Sequence, residues 1–358
     1  MNKKIFSVMP FVLIGLIIGV LTGLTRMGWS IPMGAAGGEH GAIMVGSFLG
    51  TLILLERVVV LKKRWLYLFP VISGSSILLF LYGRPETAFL ALSIGAAGLV
   101  LVYLMLLRLY PEYYFYIMLT GALTWLAGNI IALWTGSYPQ ASTWWILFVL
   151  LTVTGERLEL SKFLPDRPLK KPLLFGLTIL ILAGAALDAH GPGRWLSGVG
   201  FIALAGWFFR YDIARKSVRA TGIHRYTGSL LLLAYLWLAI TGILLLAGPF
   251  SPLAYDAVIH SFFLGFAFSM IFAHGPIILP GVAGLPVKPF HPALYLWTIL
   301  LQVSLITRLI ADYAFWMDIR KYSGMANGIV VMAFFLHLLI LTRIRFSTWK
   351  KADIKLRE

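Results

Sequence analysis

Twelve apolar stretches, each close to the length of one membrane crossing, divide the chain: 5–24, 41–61, 65–82, 87–107, 114–134, 143–160, 172–187, 195–211, 226–247, 253–273, 292–311 and 324–344. An α-helix needs about 20 such residues to cross the hydrocarbon layer of a bilayer. Short connections carrying turn residues separate them, as at Gly83-Arg84-Pro85, Gly191-Pro192-Gly193 and Gly248-Pro249. The pattern predicts an all-α polytopic membrane bundle of about twelve transmembrane helices, a single integral membrane domain over 1–358. The first stretch follows Asn2-Lys3-Lys4 in the manner of a signal peptide. It continues for about twenty residues, and Thr25-Arg26-Met27 makes a poor cleavage site, so it counts as span one.

Composition supports this pattern. With 59% hydrophobic and 12% charged residues and a mean hydropathy of +0.87, most of the surface is expected to face lipid. A net charge of +16 would point to nucleic acid in a soluble protein. Here the basic residues sit in short clusters between apolar stretches, where they set membrane orientation, and nucleic acid is not implied. Of the 30 Lys and Arg residues, five (Arg26, Arg84, Arg194, Arg320 and Lys321) fall on one side. Arg308 lies within a span, and the other 24 fall on the opposite side, with clusters at Lys62-Lys63-Arg64, Lys170-Lys171, the segment 210–225 and the tail from Arg343. The positive-inside rule then predicts an inner (cytoplasmic) membrane protein with both termini inside. Span two carries Leu55-Glu56-Arg57, and span six carries Gly155-Glu156-Arg157 one hundred residues later, an echo consistent with repeated four-helix units.

No cysteine is present, which excludes disulfides, thiolate-bound metals and cysteine nucleophiles. Histidine is the remaining strong ligand, and a neutral imidazole is cheaper to place in a membrane than a charge. Topology sorts the seven histidines. His40 opens span two at the outer side, and His260 lies in span ten toward the same side. His190 belongs to an outer turn. His224, His274, His291 and His337 gather at or near the inner boundary of spans nine to twelve. They form the only group with enough imidazoles for a second metal such as copper. His260 and His274, fourteen residues apart, share one helix face by α-helical arithmetic, and Gly275-Pro276 and Pro280-Gly281 predict a helix break beside His274.

A histidine on span two and another on span ten resembles the arrangement in heme–copper oxidase subunit I, where that pair holds a low-spin heme. Glu39-His40-Gly41, Gly46-Ser47-Phe48-Leu49-Gly50 and His260-Ser261-Phe262-Phe263-Leu264-Gly265-Phe266 with Met270 are more closely similar to the NnrS family. That family comprises twelve-span heme- and copper-containing proteins linked to nitric oxide and denitrification. The resemblance implies a b-type heme between His40 and His260, with Gly41, Gly46, Gly50 and Gly265 admitting the porphyrin edge. It further implies a small gaseous or redox ligand such as nitric oxide, an electron donor, and copper at the inner histidines. An oxidase takes its copper ligands from spans six and seven, but 143–187 contains no histidine, and the cross-linked tyrosine has no counterpart. The resemblance therefore points to nitric oxide-linked redox chemistry or electron transfer, without an oxidase-type proton-pumping centre.

Two charged groups stay open to alternatives. Arg308 either neutralises a heme propionate or pairs with Asp312 one turn along span eleven, and Asp256 lies one turn before His260. Glu56-Arg57 and Glu156-Arg157 form interfacial ion pairs or a proton relay. A secondary transporter without a cofactor is the rival from another class.

Overall fold

The computed structural model describes residues 5–165, 167–187, 191–249, 251–283 and 285–357. Twelve long helices account for nearly all of them, and no strand occurs among the described residues. They are α1 (Ile5–Arg26), α2 (His40–Leu61), α3 (Arg64–Leu81), α4 (Pro85–Leu109), α5 (Tyr113–Thr135) and α6 (Tyr138–Leu160). These are followed by α7 (Lys170–Ala186), α8 (Arg194–Tyr211), α9 (Gly222–Ala247), α10 (254–283), α11 (Leu294–Ala314) and α12 (Met317–Arg357). Each apolar stretch falls on one helix. Among the described residues nine of the helices are long and apolar enough to cross a membrane, and α6, α7 and α8 are the three outside that set.

Helix α11 shows what surrounds such a helix. Leu296, Ile299, Val303, Ile306 and Ile310 recur at three- and four-residue steps and are between 48% and 58% exposed. Its opposite stripe, Thr298, Ser304, Arg308 and Asp312, is buried. Apolar outside and polar inside is the reverse of a water-soluble helix, and it is the pattern expected against lipid.

The helices form two compact units: residues 3–167 with 179–197, and residues 1–2 and 168–178 with 198–358. In the first unit, hydroxyls join α2 to α3 through Ser47 to Ser76 at 2.7 Å and Thr51 to Ser73 at 2.9 Å. The buried Trp145 indole of α6 donates to Asn129 Oδ1 of α5 at 3.0 Å, and Trp125 stacks on Phe148 with ring centroids 4.8 Å apart. In the second unit, Ser261 of α10 bonds Thr241 of α9 at 2.9 Å. The Trp237 indole of α9 donates to Gln302 of α11, and Phe272 stacks on Phe334.

Three boundaries differ from the sequence expectation. Helix α6 begins at Tyr138, with Pro139 in its first turn where a missing N–H costs nothing. Helix α12 begins at Met317, so Arg320 is helical and not a loop residue. Helix α10 does not break at Gly275-Pro276 but continues through Pro276 and Pro280, and the Thr227 hydroxyl takes the Ala273 carbonyl at 3.0 Å. The irregular backbone lies earlier, in π-helical stretches at Ile43–Gly50 of α2 and Ser261–Ala267 of α10. An i→i+5 turn shifts the angular position of everything after it, so the fourteen-residue spacing of His260 and His274 no longer places both on one face by α-helical arithmetic.

Close packing in the first unit depends on glycine at position 50, where a Cβ would collide with the buried Trp125 ring. Gly50→Ala is expected to destabilise by about 1–3 kcal/mol, read as a lowered thermal transition in detergent. Gly206→Ala, at a site with nothing within 4 Å of an added Cβ, is expected to leave that transition unchanged or raise it.

Candidate functional site

The second unit concentrates charge on one site. Asp256 and His260 lie one turn apart on α10, so both side chains leave the same face. The His260 Nδ1 approaches the Asp256 carbonyl at 2.8 Å and its carboxylate at 3.4 Å. Arg308 of α11 donates from Nη2 to Asp256 Oδ2 at 2.8 Å, and the same nitrogen lies 3.2 Å from His260 Nδ1. Arg320 of α12 reaches Asp256 Oδ2 at 3.2 Å and donates from Nε to Asp312 Oδ1 at 2.7 Å. Ser251 donates to the Asp312 carbonyl at 2.7 Å, tying the start of α10 to the end of α11.

Two arginines and two aspartates thus balance one another around a histidine, with Arg308 5% and Asp312 0% exposed. Burying such charges is tolerable only when they are paired and hydrogen-bonded. Of the two alternatives for Arg308, the pair with Asp312 is not formed among the described residues, and partners from α10 and α12 take both ends. Arg320 is the member that sequence reasoning missed. It sits among charged residues, and only the early start of α12 turns it toward the helix bundle. Arg308 Nε and Asp312 Oδ2 are buried without a hydrogen-bond partner among the described residues.

In the first unit His40 is half-buried, and its Nδ1 lies 2.8 Å from the Gly19 carbonyl of α1. A Cβ on Gly23 would sit 2.7 Å from His40 Cε1, so glycine there lets the ring lie on the α1 backbone. Beside it Tyr138 donates to the Glu39 carboxylate. The turn Gly34–Gly38 is helical, but of the tighter 3-10 kind, and it leads directly into α2. The glycines expected to receive a porphyrin edge are filled from within their own units: Gly46 faces Leu92, Gly50 faces Trp125 and Gly265 faces Trp237.

A carbonyl oxygen can only accept, so a ring nitrogen bonded to one carries the proton. At His260 the same nitrogen meets the Asp256 carbonyl at 2.8 Å and the Arg308 Nη2 donor at 3.2 Å, whereas His40 is set with Nδ1–H and its lone pair on Nε2. His274, bonded from Nδ1 to the Met270 carbonyl at 2.9 Å, has the same tautomer. His337 and His291 are reversed, since His337 Nδ1 accepts from the Trp297 indole at 2.8 Å and His291 Nδ1 accepts from the Ala293 amide at 3.2 Å. His224 is exposed near the start of α9. No group of three or more His, Cys, Asp or Glu side chains is brought together to hold a metal among the described residues, so His224, His274, His291 and His337 do not form the expected cluster there. The polar partner that His337 requires inside an apolar helix is Trp297. His190 lies outside the described residues.

The chain belongs to a family described as "Domain of unknown function (DUF8744)", whose model matches residues 5–343. No curated protein and no solved structure matches it.

Removing one member of the charged site leaves its partners buried and uncompensated. Arg308→Met is expected to destabilise the protein by about 3–5 kcal/mol, measured by unfolding in mixed micelles. The double variant Arg308→Met with Asp256→Asn is expected to recover part of that loss, because the orphaned carboxylate is also gone.

Proposed function

We propose that this DUF8744 protein is a heme-binding integral membrane protein of the inner membrane, with twelve spans and both termini on the cytoplasmic side. His40 and His260 would bind the iron through Nε2, and Arg308 would bind a propionate. The observation that carries the proposal is that each histidine sets its Nδ1 2.8 Å from a backbone carbonyl, a contact by which proteins orient an imidazole and direct its other nitrogen to a metal. Support for the propionate contact comes from the buried, unpartnered Nε–H of Arg308, on the same site as His260. Such a donor is costly without an acceptor, and an anionic group would satisfy it.

When bound, a heme with two imidazole ligands supplies one-electron chemistry, whereas binding nitric oxide requires an open coordination position. The chain's own contribution is orientation and charge. Gly19 and Asp256 carbonyls hold the two rings, Asp256 holds Arg308, and Arg320 keeps Asp256 and Asp312 neutralised inside the helices. The resemblance to NnrS proteins adds copper and a nitric oxide-linked role to the proposal, with the electron donor a separate protein.

A secondary transporter is the second reading. Among the described residues each unit carries a π-helical stretch, Ile43–Gly50 and Ser261–Ala267, and irregular helices line many transporter sites. Absorbance separates the two. Protein purified from heme-replete cells is expected to show an intense Soret band that His40→Ala or His260→Ala abolishes and His291→Ala retains. A colourless wild-type protein, or a band that survives both of the first two substitutions, overturns the heme assignment.

A further inference from the structure

At the opposite end of α10 from His260, the second unit carries a basic face that is independent of the heme proposal. From the end of α8 to the start of α9 run Arg210, Arg215, Lys216, Arg219 and Arg225, all exposed. The one acid of that segment, Asp212, is buried, and its Oδ1 accepts from the Ala214 amide at 2.7 Å. It sets the helical turn Ala214–Ser217. That turn is packed on α9, since a Cβ on Gly228 would collide with the backbone of Ser217 and Val218.

Ring contacts join this segment to the next helices. Tyr226 of α9 packs on Phe290 and on Tyr295 of α11, with ring centroids 5.5 and 5.0 Å apart. Phe290 lies two residues from the exposed Lys288, and its carbonyl accepts from Arg345 Nη2 of α12 at 3.4 Å. Arg225, Lys288 and Arg345 thus belong to segments that meet at one aromatic contact. The connection 284–293 and residues 319–350 of α12 contain no acid, and the next along the chain is Asp353.

Helix α12 sets the depth of the face. Leu336, Ile340 and Ile344 form an exposed aliphatic stripe of the kind that meets acyl chains. Five residues on, Trp349 is exposed and stacks on Phe346 with centroids 5.9 Å apart, as aromatic residues do at headgroup level. Arg343, Arg345 and Lys350 occupy the same turns and are exposed. Like charges held this close repel one another, and an anionic surface relieves the repulsion. Phosphate suits it best, because a guanidinium can hold two of its oxygens at once.

We propose that this face binds the phosphates of anionic phospholipids, with Arg225, Lys288 and Arg345 at its centre. The aliphatic stripe and Trp349 favour a lipid over a free anion, since they offer acyl chains a surface beside the cations. In the orientation proposed above, the face meets the cytoplasmic leaflet, whose anionic lipids attract basic residues at its surface.

Electron paramagnetic resonance of spin-labelled lipids around the full chain, held in phosphatidylcholine nanodiscs, tests this with or without heme. Labelled phosphatidylglycerol is expected to be immobilised at the protein about fivefold in preference to labelled phosphatidylcholine, and less so at high salt. The triple variant Arg225→Gln, Lys288→Gln, Arg345→Gln changes only exposed side chains, and it is expected to lose most of that preference with its thermal transition unchanged. The charge-keeping variant Arg225→Lys, Lys288→Arg, Arg345→Lys should retain it. No preference in the wild type overturns the proposal, as does a preference kept by the glutamine variant or lost equally in both variants. A preference abolished by millimolar inorganic phosphate overturns the lipid as occupant and identifies a free-anion site.

Discussion

Hydrocarbon offers no hydrogen bonds, so every polar side chain in an apolar helix has to find its partner inside the protein. That constraint organises this chain. On α11 it sends five large aliphatic residues outward and Arg308 and Asp312 inward, where charge is tolerable only because Asp256 and Arg320 arrive from two other helices. In the first unit it pairs Ser47 with Ser76 and Thr51 with Ser73. The same rule gives Trp297 to His337 and Thr227 to the carbonyl beside Pro276.

Pairing of this kind also fixes chemistry. A histidine that must give one ring proton to a carbonyl is no longer free to choose its tautomer, and its second nitrogen becomes a base. His40 is set in that form by the Gly19 carbonyl and His274 by the Met270 carbonyl, whereas His337 is set in the opposite form by an indole donor. Histidines equivalent by residue type are therefore told apart by their hydrogen bonds, with a carbonyl at Nδ1 of His40, His260 and His274 and an N–H donor at Nδ1 of His291 and His337. Next to each of the two proposed ligands, α2 and α10 depart from α-helical geometry, and glycines in those stretches face Leu92, Trp125 and Trp237 side chains.

Much of this was legible in the sequence because hydropathy is a local signal. Each of the twelve apolar stretches became a helix, and the one-turn relation of Asp256 to His260 survived intact. What failed depended on partners far along the chain. Arg308 and Asp312 have ideal spacing for each other, yet α10 and α12 offer each a better-placed partner. Arg320 falls between the apolar stretches 292–311 and 324–344, and only tertiary contact reveals it as a member of the site. Gly275-Pro276 signals a break, but α10 continues through Pro276 and Pro280. The π-helical stretches leave no mark in composition, and they displace the helical face on which His274 was expected. The inner histidines shared a depth in the sequence without sharing a site.

The central claim is that imidazole nitrogens from α2 and α10 bind the same iron. Electron paramagnetic resonance of the ferric protein measures that directly. The account predicts a low-spin signal of an iron held by two imidazoles, present in one heme per chain, that converts to a high-spin signal when either His40 or His260 alone is replaced by alanine. A wild-type protein without stoichiometric iron porphyrin, or one whose low-spin signal persists in both single variants, would contradict it.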